Sequence, residues 1–333
     1  MQRVACPKCR QRFEADSEAT TLECPACGTT LRRNPDRLAQ SQRIGRYRLD
    51  ALIAAGEQGD VFRGVDREAD IPVAIKVQSF GPSARPTDAA RFLREARLAA
   101  MIQSPHVVRI LDCGEWEGKI FVVMEVVEGR DLSELVRSSG PCPLDFGIMA
   151  AIQAGRGVAA VHAAGIVHRD VKPANLVFDA PGKRIVLTDF GMAKGEAEEF
   201  LTQPGVVLGT PSTMAPELAH GEPASPASDQ YGLGVTIWFL LAGRYPYEDA
   251  TDMAVILKHL HDPIPDLRDA RPDCPETLAD VVAKAMAKDP EHRHGSVAEL
   301  VDRLVEVKTT PASPPASGAP REARKPPRRR PKR

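Results

Sequence analysis

Residues 168–175 read His-Arg-Asp-Val-Lys-Pro-Ala-Asn, and they concentrate several side chains that can do chemistry in one short stretch. A second acidic residue, Asp189, follows a little further along the chain. The carboxylates of Asp170 and Asp189 and the amide of Asn175 carry oxygen atoms of the kind that bind Mg²⁺. They can bind the ion and still leave one of the two carboxylates free to accept a hydroxyl proton.

Two short apolar runs must position these side chains. The first, 176–178, is Leu-Val-Phe, and the second, 185–187, is Ile-Val-Leu. The residues 179–182 between them, Asp-Ala-Pro-Gly, are typical of a turn. This pattern predicts a strand, a turn and a second strand, which would place the residues of 168–175 on one loop with Asp189 beside them.

Residues 167–175 and the triplet Asp189-Phe190-Gly191 resemble the signature of the eukaryotic-like (Hanks-type) serine/threonine protein kinases of bacteria. The resemblance covers residues 47–305. It implies an α+β, two-lobed protein kinase fold with a small, mainly antiparallel β lobe and a larger helical lobe. It also implies transfer of the ATP γ-phosphate to Ser/Thr hydroxyls of protein substrates, with Mg²⁺ or Mn²⁺ as cofactor.

The resemblance assigns a role to each polar residue of the signature. Asp170 accepts the substrate hydroxyl proton, Lys172 neutralises the transferring phosphate, and Asn175 and Asp189 ligate Mg²⁺. The position of Lys172, two residues after Asp170, resembles serine/threonine kinases rather than tyrosine kinases. Thr210 supports this choice, because a threonine at that place contacts the catalytic loop in the serine/threonine class.

A glycine-containing stretch follows a predicted strand over residues 47–53. Residues 54–61, Ala-Ala-Gly-Glu-Gln-Gly-Asp-Val, resemble the kinase pattern GxGxxGxV, with Ala54 where the first glycine usually stands. Glycines let backbone N–H groups approach phosphates closely. The nucleotide-binding positions implied by the resemblance are Ile53, Ala54, Gly56, Gly59, Val61, Ala74, Lys76, Met124, Glu125, Val127, Val177 and Asp189.

Lys76 lies in the predicted strand 73–76, where a buried ammonium group requires a partner. The following predicted helix, 91–98, carries Glu95 on its apolar face. By resemblance, Lys76 holds the α and β phosphates and pairs with Glu95. The alternative is that Glu95 is a solvated surface acid.

Residues after the signature carry further implied roles. In this family, an arginine at the position of Arg169 accompanies control by phosphorylation of the activation loop. Thr202 is the only residue with a hydroxyl group between Gly191 and Gly209. Thr202 is therefore a candidate for autophosphorylation, with a plain solvated threonine as the alternative. Other expectations concern structure: Asp229 anchors the catalytic loop from behind, Glu217 pairs with Arg293, and Thr213 stands where family members often carry tyrosine.

Two CxxC pairs near the N-terminus predict a zinc ribbon. The four thiolates that would surround one Zn²⁺ ion are those of Cys6, Cys9, Cys24 and Cys27. A redox pair and a chance cluster are the alternatives. The ribbon resembles modules that bind protein or nucleic acid, and the sequence does not distinguish between these partners.

The composition bounds the rest of the chain. The net charge is −1 over 333 residues, whereas the segment from Arg321 onward has eight basic residues and one acid. This tail is expected to be disordered, and it can bind nucleic acid, anionic lipid or an acidic partner. No stretch approaches the ~18 apolar residues of a membrane span, and no signal peptide is evident. A cytoplasmic location is expected, where disulfides are rare.

These observations divide the chain into a zinc ribbon (1–33), a linker (34–46), a kinase domain (47–305, with lobes 47–128 and 129–305) and a basic, proline-rich tail (306–333). Two other functions stay open. The first is a pseudokinase scaffold, for which Ala54 and Thr213 are the only support. The second is a zinc-ribbon adapter that binds nucleic acid or protein, for which the low aromatic content of 5% is unfavourable.

Overall fold

The computed structural model describes residues 2–5, 12–15, 21–26, 30–32, 42–56, 59–79, 86–189 and 210–309. Near the N-terminus, two antiparallel hairpins are formed by β1 (Gln2–Ala5) with β2 (Arg12–Ala15) and by β3 (Thr21–Glu23) with β4 (Thr30–Arg32). Cys24 follows β3 directly, and its side chain is buried. The other three cysteines of the predicted zinc site lie outside the described residues, which contain no cluster of three metal-ligating side chains.

The small lobe is built on one six-stranded antiparallel sheet with the strand order β5-β6-β7-β8-β10-β9. Its elements are β5 (Arg43–Ile44), β6 (Tyr47–Gly56), β7 (Gly59–Asp66), β8 (Ile71–Ser79), α1 (Pro86–Ala99), β9 (Ile110–Trp116) and β10 (Lys119–Glu125). Alternation along β8 places Ile75 and Val77 on one face, where they form a small core with Phe62. Lys76 therefore points to the other face, and its cross-strand partner Val122 packs in the larger core that α1 joins.

The large lobe is mainly helical. A three-stranded antiparallel sheet is formed by β11 (Gly129–Asp131), β12 (Leu176–Asp179) and β13 (Arg184–Leu187). The helices are α2 (Leu132–Ser139), α3 (Leu144–Ala163), α4 (Pro216–Ala219), α5 (Pro226–Ala242), α6 (Asp252–His261), α7 (Leu267–Ala270), α8 (Glu276–Ala285) and α9 (Val297–Thr309). The hairpin β12–β13 confirms the predicted strand, turn and strand.

Helix α5 forms the centre of this lobe, and every residue from 228 to 241 is buried. It begins at a reciprocal cap, in which the side chains of Ser225 and Ser228 each accept the other's backbone N–H. It ends at Gly243, whose φ of 76° lies in the left-handed region. A helix buried on all sides must be apolar around its circumference, as this sequence is.

Gly232 lets α5 touch the backbone of the loop that precedes β12. A Cβ at position 232 would lie 2.8 Å from the carbonyl oxygen of Val171. Gly232→Ala is therefore expected to destabilise the protein by about 1–3 kcal/mol, because backbone must move. In the matched control Gly147→Ala, on helix α3, the new Cβ would lie 2.5 Å from Cδ2 of Leu241, and the end of this flexible side chain can move aside. Urea denaturation compares them, and equal stability of the two variants would contradict the tight contact at Gly232.

Helix α3 is the one helix among the described residues that is long and apolar enough to cross a membrane by length and composition. More than half of its most apolar window is buried inside the protein. Core helices of ordinary domains meet the same criteria, so this finding is weak evidence for a span.

The predicted boundary at residue 305 between the kinase domain and the tail falls inside the last helix. Helix α9 continues to Thr309, so residues 306–309 belong to the last helix and not to the tail. The reason is packing, since Leu300 and Leu304 are buried at helical spacing and Val307 packs partly against the same core. The rest of the tail, 310–333, lies outside the described residues. Its predicted binding of nucleic acid or an acidic partner therefore stays a prediction.

Candidate active site

The loop that joins α3 to β12 carries the predicted catalytic side chains and is anchored by Asp229 at the start of α5. The Asp229 carboxylate accepts the backbone N–H of His168 at 2.7 Å and that of Arg169 at 2.8 Å. Nε2 of His162, on α3, lies 2.8 Å from the same carboxylate. Asp229 is only 2% exposed, so these three donors compensate the burial of its charge. The predicted anchoring role of Asp229 is confirmed.

His168 is fully buried and supports the loop from inside. Its Nδ1 accepts the backbone N–H of Asp170 at 3.3 Å, which places the ring proton on Nε2. Nε2 then donates to the carbonyl of Thr188 at 3.2 Å. Burial lowers the pKa of His168, so the ring is neutral. These contacts give His168 a structural role in the loop.

The carboxylate of Asp170 is held in one orientation by three side chains. Lys172 Nζ lies 2.7 Å from Oδ2, and Asn175 Nδ2 donates to the same oxygen at 3.0 Å. Thr210 Oγ1 lies 3.4 Å from Oδ1 and also accepts from Lys172 Nζ at 2.8 Å. A buried, oriented carboxylate beside a cation can accept the proton of a hydroxyl group while the cation stabilises negative charge.

Asn175 and Asp189 provide oxygen ligands that fit a divalent cation. The amide nitrogen of Asn175 is used by Asp170, since it also donates to the Asp170 carbonyl at 2.8 Å. This bond fixes the amide so that its oxygen is the atom offered to a ligand. Asp189, whose φ is 56°, adds a half-exposed carboxylate. An amide oxygen and a carboxylate are ligands that Mg²⁺ accepts.

The predicted pair between Lys76 and Glu95 is not formed. Lys76 is 5% exposed, and its Nζ lies 2.8 Å from Oδ1 of Asp189. Glu95 Oε1 instead lies 3.8 Å from Nη2 of Arg169. A buried ammonium takes the carboxylate nearest to it, and here that is Asp189. The Lys76 charge holds the pKa of Asp189 below its ordinary value. The side chain of Glu95 is only 19% exposed, so it is not the solvated surface acid of the alternative hypothesis.

Strand pairing aligns the predicted phosphate-binding residues. Ala54 pairs with Val61 across the β6–β7 hairpin, and Val61 pairs with Lys76 on β8. At the turn of the hairpin, Gly56 pairs with Gly59. Gly59 has a φ of 108°, and a Cβ there would lie 2.5 Å from a carbonyl oxygen of β8, so this position requires glycine.

The predicted adenine-binding segment follows the end of β10. Met124 lies opposite Ala74 on β8. The side chain of Glu125 is engaged by the backbone N–H of Arg109 at 3.2 Å and by Arg184 at 3.4 Å, so only its backbone is suited to bind a base. The remaining predicted contacts, which are all partly exposed, are Ile53, Val127 and Val177.

Several residues with predicted roles lie in the segment after Asp189. Phe190, Gly191 and Thr202 fall within 190–209, which lies outside the described residues, so the proposed phosphorylation of Thr202 stays a prediction. The chain resumes at Thr210 and passes through a short turn with the buried Thr213.

The predicted pair of Glu217 and Arg293 is confirmed. Arg293 donates through both terminal nitrogens to the two carboxylate oxygens of Glu217, at 2.6 and 2.7 Å. Both side chains are buried. This bidentate bond fixes α4 to the segment before α9 and so closes the far end of the segment that starts at Thr210.

Sequence reasoning missed two partners at this site. The contact of His162 with Asp229 follows from the packing of α3 on α5. The contact of Glu95 with Arg169 joins α1 to the catalytic loop. Neither contact leaves a signal in residue spacing, because both join residues that are far apart in the chain.

Several known proteins resemble this chain in sequence and in fold. A family model described as protein kinase domain matches residues 47–304. Serine/threonine-protein kinase PknA of Mycobacterium tuberculosis is 37% identical over 281 residues, which are 83% of this chain and 64% of PknA. PknE of the same organism is 36% identical over 261 residues, 78% of this chain and 46% of PknE. The crystal structure of the M. tuberculosis PknI kinase domain matches with a TM-score of 0.65 and 28% identity, over 81% of this chain and 99% of that one.

Proposed function

The chain belongs to the protein kinase domain family, and from this we propose that it is a serine/threonine protein kinase that transfers the γ-phosphate of ATP to protein hydroxyls. The chain spans 64% or less of the length of the curated relatives PknA and PknE, both of which are named serine/threonine-protein kinases. The observation that carries the proposal is the arrangement of Asp170, whose carboxylate is oriented by Lys172, Asn175 and Thr210.

The roles of the site residues follow from their contacts. Asp170 accepts the proton of the substrate hydroxyl, and Lys172 stabilises the negative charge of the phosphate in transfer. Asn175 and Asp189 would hold Mg²⁺, or Mn²⁺, which supplies charge neutralisation at the phosphates. Lys76, whose Nζ lies 2.8 Å from Oδ1 of Asp189, would bind the α and β phosphates.

The nucleotide lies between the lobes in this proposal. Ala74 and Val177 contact the two faces of the adenine ring, and Met124 lines the back of the pocket. The backbone N–H of Glu125 already donates to the Arg109 carbonyl at 2.9 Å. Base recognition therefore uses the Glu125 carbonyl and the peptide groups of Val127.

Phosphate incorporation from labelled ATP tests the proposed function. Purified full chain is incubated with Mg²⁺ and a basic protein substrate such as myelin basic protein, and the labelled amino acids are identified by acid hydrolysis. We expect label on serine and threonine. Nucleotide binding without incorporation would favour the scaffold alternative. Salt-dependent binding to nucleic acid without incorporation would favour the adapter alternative.

Control of this activity is proposed to involve Thr202. Arg169, beside the catalytic aspartate, is the residue suited to bind a phosphothreonine and order the segment that carries it. Phosphopeptide mapping of the active protein is expected to find phosphate on Thr202. Full activity of a protein that is unmodified at Thr202 would contradict this role.

We also propose that Cys6, Cys9, Cys24 and Cys27 bind one structural Zn²⁺ and that this ribbon contacts a partner. Two observations support zinc: β3 ends directly at the buried Cys24, and the residues after it form a turn. Because metal supplies most of the folding free energy of so small a module, its loss should unfold the ribbon.

Metal analysis of the purified chain is expected to give one zinc per protein, and Cys24→Ser should remove most of it. Cys142→Ser is the matched control, since Cys142 is equally buried but lies in the large lobe. Equal zinc content in the two variants would contradict the site. We propose a cytoplasmic location, where thiols are kept reduced, and this predicts that the four cysteines are reduced in cells.

A further inference from the structure

A buried polar cluster lies beneath the segment 210–217, which begins at Thr210 beside Asp170. The cluster consists of Tyr231 on α5, Tyr247, His259 on α6 and Lys288. The short turn 211–213 packs against both α5 and α6. Tyr231 and His259 are both fully buried, and the Tyr231 hydroxyl lies 2.7 Å from Nδ1 of His259. The cluster therefore joins the two helices on which the turn rests.

Lys288 fixes the end of α6 that carries His259. Its Nζ donates to the His259 carbonyl at 2.6 Å, to the Tyr247 hydroxyl at 2.9 Å and to the Lys258 carbonyl at 3.4 Å. A cation at this place donates to the last carbonyls of α6 and interacts favourably with the negative end of the helix. The Tyr247 hydroxyl donates in turn to the Pro263 carbonyl at 3.0 Å, which fixes the chain beyond α6. The position of the imidazole is therefore set from below by Lys288.

The imidazole of His259 is neutral. Burial, with a contribution from the Lys288 charge, lowers the pKa of His259 to about 3. The backbone of Ser212 acts in the opposite direction and raises this pKa. Within the described residues, Nε2 of His259 is buried without a hydrogen-bond partner, and the turn 211–213 packs against the helix that carries it.

We propose that His259 is a positioning residue for the segment 210–217. The Tyr231 hydroxyl donates to Nδ1 and so keeps the ring proton on Nε2, the atom that would donate to the backbone of the turn 211–213. Ser212 follows Thr210 closely, and Thr210 contacts both Lys172 and Asp170. A displaced turn would therefore misplace the protein substrate relative to Asp170 and leave the ATP side unchanged.

The other end of the same segment is held by Glu217, which Arg293 clamps. The Arg293 guanidinium also lies 5.0 Å from the centre of the Tyr231 ring. Tyr231 thus contacts both supports of the segment, His259 through its hydroxyl and Arg293 through its ring. Removing only the Tyr231 hydroxyl breaks the contact with His259 and keeps the contact of the ring with Arg293. The effects of these two contacts can therefore be measured separately.

The test uses Tyr231→Phe, which removes only the hydroxyl, with His259→Phe and His259→Gln. Tyr47→Phe is the matched control, because its hydroxyl bonds Asp112 in the small lobe, away from this segment. Loss of one neutral hydrogen bond predicts a roughly 2- to 10-fold rise in KM for myelin basic protein in Tyr231→Phe, with KM for ATP unchanged. His259→Gln, which keeps an N–H donor, should be less affected than His259→Phe.

Hydrogen exchange of residues 210–217 in the full chain supplies a readout that does not need activity. Faster exchange there in Tyr231→Phe and not in Tyr47→Phe is expected. Only the KM measurements in this test rest on the proposed function. If the wild-type chain has no kinase activity, the proposed function is wrong, and hydrogen exchange alone tests this inference. Unchanged exchange at 210–217 in both Tyr231→Phe and His259→Phe overturns the proposal, and so does an equal rise in both KM values.

Discussion

Asp170→Asn is expected to lower phosphate transfer by about 10²–10⁴-fold while ATP still binds. The substitution keeps the size of the side chain and removes the group that accepts the hydroxyl proton. The loop should keep its shape, because Asn175 also donates to the backbone carbonyl of residue 170 and Asp229 holds the preceding N–H groups. The measurement is initial-rate incorporation of label into protein substrate, beside ATP binding by fluorescence or calorimetry.

Asp145→Asn is the matched control for this prediction. Asp145 is an exposed residue in the first turn of α3. Its replacement removes the same charge without touching the site, so activity should stay within about twofold, as for surface changes in general. Incorporation that persists in Asp170→Asn, or that falls together with ATP binding, would contradict the role of Asp170 as the proton acceptor.

The arrangement around Asp189 shows why part of this site was predictable and part was not. The sequence identified Lys76 as a buried ammonium that needs a carboxylate, and Lys76 is indeed buried with one. The choice between Glu95 and Asp189 depends on where α1 sits relative to the sheet. That placement is a property of tertiary packing and leaves no mark in local spacing.

The contacts that were predicted correctly are carried by residues whose burial is unfavourable without a partner. Asp229 lies in an otherwise apolar helix, so a carboxylate there had to accept backbone hydrogen bonds, and it does. The hairpin β12–β13 followed from two apolar runs separated by a turn. His162 and His259 gave no such signal, because a lone histidine in an amphipathic helix has many possible surroundings. Helix α9 runs four residues past the predicted boundary at 305, into sequence that is partly polar.

Breaking the bond between Glu217 and Arg293 is expected to cost more stability than breaking any exposed ion pair among the described residues. Neither side chain is appreciably exposed, at 6% and 0%, so solvent does not screen the pair. Glu217→Leu would leave Arg293 buried without its carboxylate and should cost about 3–5 kcal/mol in the free energy of unfolding. Arg293→Met should cost at least as much, since Arg293 also donates to the Ala227 carbonyl at 2.8 Å.

The double variant separates the pair itself from the cost of an unpaired charge. Glu217→Leu with Arg293→Met removes both charges, so its loss of stability should be well below the sum of the single losses. Equilibrium urea denaturation measures each corner of the cycle. The exposed pair Arg303–Glu306 on α9, at 2.9 Å, is the control, and its coupling should stay below about 1 kcal/mol and fall with salt. Additive losses at Glu217 and Arg293 would show that the two charges do not depend on each other, contrary to the buried bidentate geometry.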